Sequence, residues 1–195
     1  MIILRILYTI STVGLAVVGF NALVLAVTYL RHRRTETPRP AVAEDEWPTV
    51  AVQLPVYNER HVVERLVRVV SALNYPRDRL NIQLLDDSTD DTSIAAGDAV
   101  ERARRAGVSI VHLRRGGRAG YKAGALAYGL ERTDAEFVAV FDADFVPQPD
   151  FLRLVIPYFM GDDRLGLVQT RWAHLNADTS LLTRAQALAL DSQLR

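Results

Sequence analysis

The 195-residue chain has no cysteine, so disulfides and thiolate metal centres are excluded. It has almost no lysine: of its 23 basic residues, 22 are arginine and the single lysine is Lys122. A compact ammonium and a planar guanidinium fork are not interchangeable, so either this bias marks a position that only the ammonium serves or the lone lysine stands there by chance. Net charge is also lacking, because 23 acidic residues cancel the bases. That balance argues against a nucleic-acid binder driven by counterion release. Histidine is scarce, and His32, His61, His112 and His174 fall without metal-ligand spacing, which leaves them as surface or core residues. Internal repeats and low-complexity tracts are lacking too.

What the chain does have is one long apolar run. Residues 6–30 are 25 consecutive uncharged positions, mostly Leu, Val, Ile, Ala and Gly, enough to cross a hydrocarbon core of about 30 Å with some tilt. A signal peptide has an apolar region of only about 7–15 residues and ends at a small-residue cleavage site. This run ends instead in Arg31, His32, Arg33 and Arg34. These arginines, with Arg39, outweigh Arg5 on the other side, which predicts an outward N-terminus and a cytoplasmic remainder. We read residues 1–34 as a transmembrane helix with its basic flank. Residues 35–48 (TETPRPAVAEDEWP) hold three prolines and four acids and read as a tether. Residues 49–195 are then the folded domain.

Hydrophobic periodicity predicts alternating strands and helices over that domain. Strands are expected at 50–54, closed by Pro55, and at 82–85, 108–113 and 137–141, with another at 165–170. Helices are expected at 61–73, from the helix-capping residues 86–92 through 106, at 121–130, 151–159 and 180–195. Such alternation implies an α/β fold with a mostly parallel sheet and helices on both faces. Ligands of these sheets bind beyond the carboxyl ends of the strands, and the clusters at 55–59, 86–91, 114–122 and 142–144 each follow one of the first four strands.

Asp142 and Asp144 leave the fourth strand, either as an acidic turn after a core strand or as a metal site. Alternate residues of a strand share a face about 7 Å apart, so the two carboxylates are expected to point the same way and converge on one cation when the chain bends. Oxygen ligands with room for substrate phosphates suit Mg²⁺ or Mn²⁺. After the first strand, Tyr57 offers a ring for a base to stack on and Glu59 an acceptor for a ribose or a base edge, unless these residues simply cap the next helix. Asp86 and Asp87 either read a nucleobase imide or cap a helix. Gly120-Tyr121-Lys122-Ala123-Gly124 opens a helix whose N-terminus favours phosphate, with Lys122 adding a point charge. The segment is not a P-loop: Gly116 would need a second glycine where Tyr121 stands, and Ala123 supplies no hydroxyl. Gln169-Thr170-Arg171-Trp172 reads as a strand end with an amphipathic tryptophan.

Taken in order, QLPVYNE, LLDDSTDDT, GYKAGAL, FDADFVPQPDF and VQTRW resemble the family 2 glycosyltransferases of GT-A fold, closest to the cellulose synthase-like glucan, mannan and glucomannan synthases. The resemblance covers residues 50–195. It implies a Rossmann-like GT-A domain in which Tyr57, Glu59 and Asp87 hold the nucleoside of a UDP- or GDP-sugar and Asp86 supports it, with Pro55 and Asp142 also among the nucleotide-sugar-binding residues. It also implies that Lys122 contacts the diphosphate and that Asp142 and Asp144 bind Mg²⁺ or Mn²⁺. The implied activity is hexosyl transfer, with inversion, to a growing β-glycan at a membrane, with a glycan or lipid-linked acceptor. We expect the bacterial plasma membrane as its location, with no nucleic acid and either a homo-oligomer or a missing C-terminal portion.

The family's later Thr-Glu-Asp-type motif, which supplies the general base, and its Gln-x-x-Arg-Trp motif are not present; Gln169-Thr170-Arg171-Trp172 is one residue too short and too early. Asp150, Asp162, Asp163, Asp178 and Asp191 have no motif marking one of them as base. We therefore expect the donor-binding half of a larger enzyme, able to bind donor and metal but poor at transfer. A polyprenyl-phosphate glycosyltransferase and a non-catalytic nucleotide-sugar-binding subunit stand as the alternatives.

Overall fold

The structure is a computed structural model that describes residues 1–32, 39–170, 173–175 and 177–193. Its contacts form two units, one of Arg39–Gly166 and one taking in Met1–Pro38 and Leu167–Arg195. Helix α1 (Ile2–His32) extends the uncharged run at both ends. Its Ile2–Arg31 stretch reaches a mean hydropathy of 2.2 over an 18-residue window and is long and apolar enough to cross a membrane. The Thr9 and Thr12 hydroxyls donate at 2.9 Å to the carbonyls of Arg5 and Tyr8, so neither is left unpaired for lipid to face.

In the Arg39–Gly166 unit, β1 (Val50–Val56), β2 (Leu80–Asp86), β3 (Ile110–Arg114) and β4 (Phe137–Val140) form one sheet. All pairs are parallel and the order is β3-β2-β1-β4. Helices α2 (Arg60–Ser71) and α3 (Thr92–Arg105) carry the chain outward from β1, so right-handed crossovers put both on one face. Helix α4 (Tyr121–Leu130) brings it back across β2 and β1 to β4 and therefore lies on the other face.

The two-residue period of the strands divides the side chains accordingly. Val50, Val52, Leu54, Ile82 and Leu84 enter the core with Val63, Leu66 and Val70 of α2 and Val100 of α3. Helix α5 (Phe151–Gly161) joins the same core through Leu152 and Ile156, with the rings of Phe151 and Phe141 edge to face at 5.0 Å. On the α4 face, Gln53 donates to Gln83 at 3.0 Å, and Gln83 donates to the Arg132 carbonyl at 3.1 Å. Gly129 lies so close that an added Cβ would sit 2.6 Å from Gln53 Nε2.

Several expectations need correction. Pro55 does not close the first strand but lies within β1. Backbone groups of the odd-numbered residues face β4, as the Gln53 carbonyl does in accepting from Phe141 N. Because β4 pairs only as far as Gln53, the missing N–H of Pro55 costs no ladder bond. Residues 165–170 are not a strand, since no described strand offers them a ladder. The tether is also shorter than expected, because Trp47 is buried against Tyr75, whose hydroxyl donates to the Pro48 carbonyl at 2.7 Å. Burial pushes that phenol up to about 12. Residues 39–48 thus belong to the folded unit. In the other unit, helix α6 (Leu181–Gln193) matches the expected C-terminal helix; positions 194–195 lie outside the described residues.

Candidate functional site

The strand order turns around at β1, whose neighbours are β2 on one side and β4 on the other. In open parallel sheets a crevice opens at such a point, beyond the carboxyl ends of the strands. The loop after β1 and the loop after β4 flank it, and the loops after β2 and β3 lie beside it. Side-chain bonds stitch these four loops together.

Asn58 links the first two. It sits in the left-handed region at φ 54°, which asparagine tolerates better than most residues. Its N–H donates to Ser88 Oγ at 3.0 Å, and its side-chain oxygen accepts from Thr89 N at 2.9 Å.

Asp86 and Asp87 fix the next junction. Asp86 is fully enclosed, accepting from Ser88 N at 2.9 Å and meeting His112 Nε2 at 2.9 Å. Burial raises its pKa, but hydrogen bonds from His112, Ser88 and Ser93 outweigh that and hold it well below the usual carboxylate range. An enclosed carboxylate cannot touch a ligand, so Asp86 supports the loops from beneath. Asp87 forms a two-bond pair with Arg115, Nε to Oδ1 at 2.8 Å and Nη2 to Oδ2 at 2.5 Å, with both side chains largely covered. The same guanidinium donates to the carbonyls of Ala119 at 2.8 Å and Tyr121 at 3.0 Å. Both Asp87 oxygens are thus engaged in tying the loop after β3 to the loop after β2. Gly124 makes that tie possible, since an added Cβ would lie 2.6 Å from Arg115 Nη1 and closer still to the Ala119 carbonyl.

Across the crevice, Lys122 Nζ donates to Asp142 Oδ1, so the only lysine meets the first aspartate of the Asp-x-Asp motif. The strand geometry expected for this motif is not what forms. Strand β4 ends at Val140, and residues 142–145 make a tight turn closed by Phe145 N donating to the Asp142 carbonyl at 3.0 Å. Burial still alternates: Phe141 and Ala143 are buried, Asp142 is half-buried and Asp144 is exposed. Glu59 completes the acidic side. Burial first, and then the charges of Asp144 and Asp142, push its carboxyl above the ordinary value.

Three carboxylates in one field, two of them accessible, are hard oxygen donors suited to Mg²⁺ or Mn²⁺. Among the described residues no three acidic or histidine side chains converge to hold a metal by themselves, so such an ion would need oxygens from its ligand. The Lys122–Asp142 pair is about half exposed on each side, and pairs of that kind are worth about 0–1 kcal/mol. It opens cheaply, so both groups are available to a ligand, whereas Asp86 and Asp87 are committed.

Tyr57, at the rim of the β1 loop, is covered by the guanidinium of Arg118, which lies 3.3 Å from its ring centroid. Pro55 stands just behind, near the end of β1. Sequence reasoning overlooked Arg115 and Arg118, which looked like undifferentiated basic loop, and took His112 for filler. The Asp86–His112 contact was detectable only through the strand register, which pairs Asp86 with Arg114 and Leu84 with His112. Arg171 and Trp172 lie outside the described residues, and Gln169 and Thr170 are irregular.

The profile of the family described as Glycosyl transferase family 2 matches residues 51–187. The chain is similar to Glucomannan 4-beta-mannosyltransferase 1 of Oryza sativa subsp. japonica, 43% identical over 156 residues, covering 78% of this chain and 30% of that protein. It is likewise similar to Glucomannan 4-beta-mannosyltransferase 2 of Arabidopsis thaliana, 46% identical over 155 residues, covering 77% and 29%. The chain thus spans about a third of the length of these relatives. As plant proteins they lend no support to the bacterial plasma membrane expected above. Among solved structures it resembles the mannosyltransferase PcManGT from Pyrobaculum calidifontis in complex with GDP-Man and Mn²⁺, with TM-score 0.60, 28% identity, and 75% and 42% of the two chains covered. S. aureus TarS 1-349, at TM-score 0.51, 20% identity, and 58% and 32% coverage, shares the fold.

Proposed function

This chain belongs to glycosyl transferase family 2, and on that premise we propose that it forms the donor-binding part of a membrane-bound hexosyltransferase. In this proposal a UDP- or GDP-sugar lies in the crevice between β1 and β4, and its hexose is transferred with inversion to a growing β-glycan. The observation that carries the proposal is the meeting of Lys122 with Asp142, the first aspartate of the Asp-x-Asp motif, at the switch point of the sheet. A single ammonium among 22 arginines stands where that motif leaves a strand.

Each residue has a task in this scheme. Tyr57 offers the nucleobase a flat face, and Glu59 accepts hydrogen bonds from the ribose. Lys122 leaves Asp142 and pairs with the diphosphate, stabilising the negative charge that develops as the sugar departs. Asp142 and Asp144 would hold Mg²⁺ or Mn²⁺, which when bound supplies neutralising charge to the leaving diphosphate. Asp86, Asp87, Arg115 and Asn58 are positioning residues that keep the four loops at fixed separations. Helix α1 anchors the domain to the membrane, and the arginines at 31, 33, 34 and 39 favour a cytoplasmic crevice, where nucleotide-sugars would enter from the aqueous phase. The GDP-mannose bound in the PcManGT complex, together with the names of the plant relatives, favours a GDP-hexose as donor.

The test is calorimetric titration of GDP-mannose and UDP-glucose into the full chain in detergent, with Mn²⁺ present. Asp144→Asn is expected to weaken donor binding at least about tenfold, the scale of one charge-assisted ligand contact. An Asp144→Asn protein that binds donor and Mn²⁺ like the parent removes the metal assignment.

A further inference from the structure

The face of Tyr57 on which a base would stack already carries a planar cation. Arg118 lies 3.3 Å from the ring centroid, directly over it, and 5.0 Å from the ring of Tyr121. A guanidinium stacked at that distance fills the volume a nucleobase would need on the same face, so the two exclude each other there. We propose that Arg118 is a placeholder for the nucleobase, holding the Tyr57 platform until the donor arrives and leaving it by a side-chain rotation. The inference rests on the nucleotide-sugar role proposed above for Tyr57 and adds to it a residue that competes with the donor.

The loop is built for that motion. Arg115 is pinned to Asp87 and to the carbonyls of Ala119 and Tyr121. Arg118 is pinned through its own backbone, since its carbonyl accepts from Tyr121 N at 3.0 Å. What remains free is the Arg118 side chain, which is exposed, next to Gly116 and Gly117, where even an added Cβ would meet nothing within 4 Å. The exchange therefore needs no refolding of the loop, only a rotamer change into open space. It is also one-sided in energy. An exposed cation–π contact shifts an equilibrium by about two- to fivefold, whereas a base stacked on an aromatic ring is worth more, so the donor wins. While Arg118 is in place only part of the population has a free platform, which weakens the apparent affinity by that fraction.

The placeholder acts on the unliganded protein, so removing it should speed association and leave dissociation unchanged. Stopped-flow and equilibrium binding of UDP and GDP, with Mn²⁺, to the full chain in detergent measure both. Arg118→Lys keeps the charge but loses the planar stack, and is expected to tighten binding about two- to fivefold through the on-rate alone. Arg118→Gln also loses the charge, so its affinity for these anions should fall below that of Arg118→Lys. Unchanged or weaker binding in Arg118→Lys, or a gain found in the off-rate, overturns the placeholder. Tyr57→Ala tells the two failures apart. If it binds UDP and GDP as well as the parent, no base stacks there and the Tyr57 assignment falls; if it weakens them while Arg118→Lys changes nothing, only the placeholder falls.

Discussion

Glu59 shows most clearly how single side chains register the crevice. Burial and the neighbouring Asp144 and Asp142 push its carboxyl above the ordinary value, so the folded chain binds that proton more tightly than the unfolded chain does. Its contribution to stability is therefore intact below the unfolded pKa and is lost as pH rises through the folded one. Glu59→Gln should raise the thermal midpoint at pH 7 without added metal, and the gain should vanish near pH 4. Tryptophan-fluorescence melts of parent and variant at the two pH values check this, and an equal gain at both would show that repulsion is not the cause. Much of this chemistry was legible beforehand: the aspartate pair and the lone lysine stand out by type, and the first aspartate does meet the lysine. Their partners were not legible, because Arg115 and Arg118 are two among 22 arginines and only the folded loop distinguishes one that grips Asp87 from one that covers Tyr57.

The elements around the crevice depend on close backbone approach more than on propensity. Gly120 opens α4 at φ 70°, followed by Tyr121 at φ 49°, and Gly124 one turn later lies against the Ala119 carbonyl. Gly124→Ala must therefore push the loop after β3 away from its helix, an overpacking cost of about 1–3 kcal/mol. Gly117→Ala, with open space around it, should stay within about 0.5 kcal/mol of the parent. Urea titrations of the two variants test the contrast, and equal stability would contradict the packing described. At this scale, strands and helices followed from periodicity because apolar residues recur at 2.0 and 3.6 positions. The segment at 165–170 shows the limit of that rule, since an apolar stretch becomes a strand only where a neighbour offers a ladder. Trp47 shows the opposite failure: proline and acid around it signalled a tether, yet its ring is claimed by Tyr75 and Arg153.

Taken whole, the chain joins a helix fit to cross a membrane to an all-parallel sheet whose switch point gathers four loops. A helix of that length and hydropathy should hold the full chain in the membrane pellet through an alkaline carbonate wash, and release into the supernatant would count against a spanning α1. The sheet's contribution is to make binding a joint property of loops that are far apart in sequence: β1–β4 pairing brings Asp142 into the field of Glu59, and α4 carries Lys122 to Asp142. The most direct measurement is the affinity of UDP and GDP for the full chain in detergent, with Mn²⁺ and with the ion chelated, in the parent and in Lys122→Met. If a cation-bridged diphosphate is gripped at that rim, binding should need the ion and should weaken at least about tenfold without the ammonium. Affinity that ignores both chelation and the loss of Lys122 would contradict it.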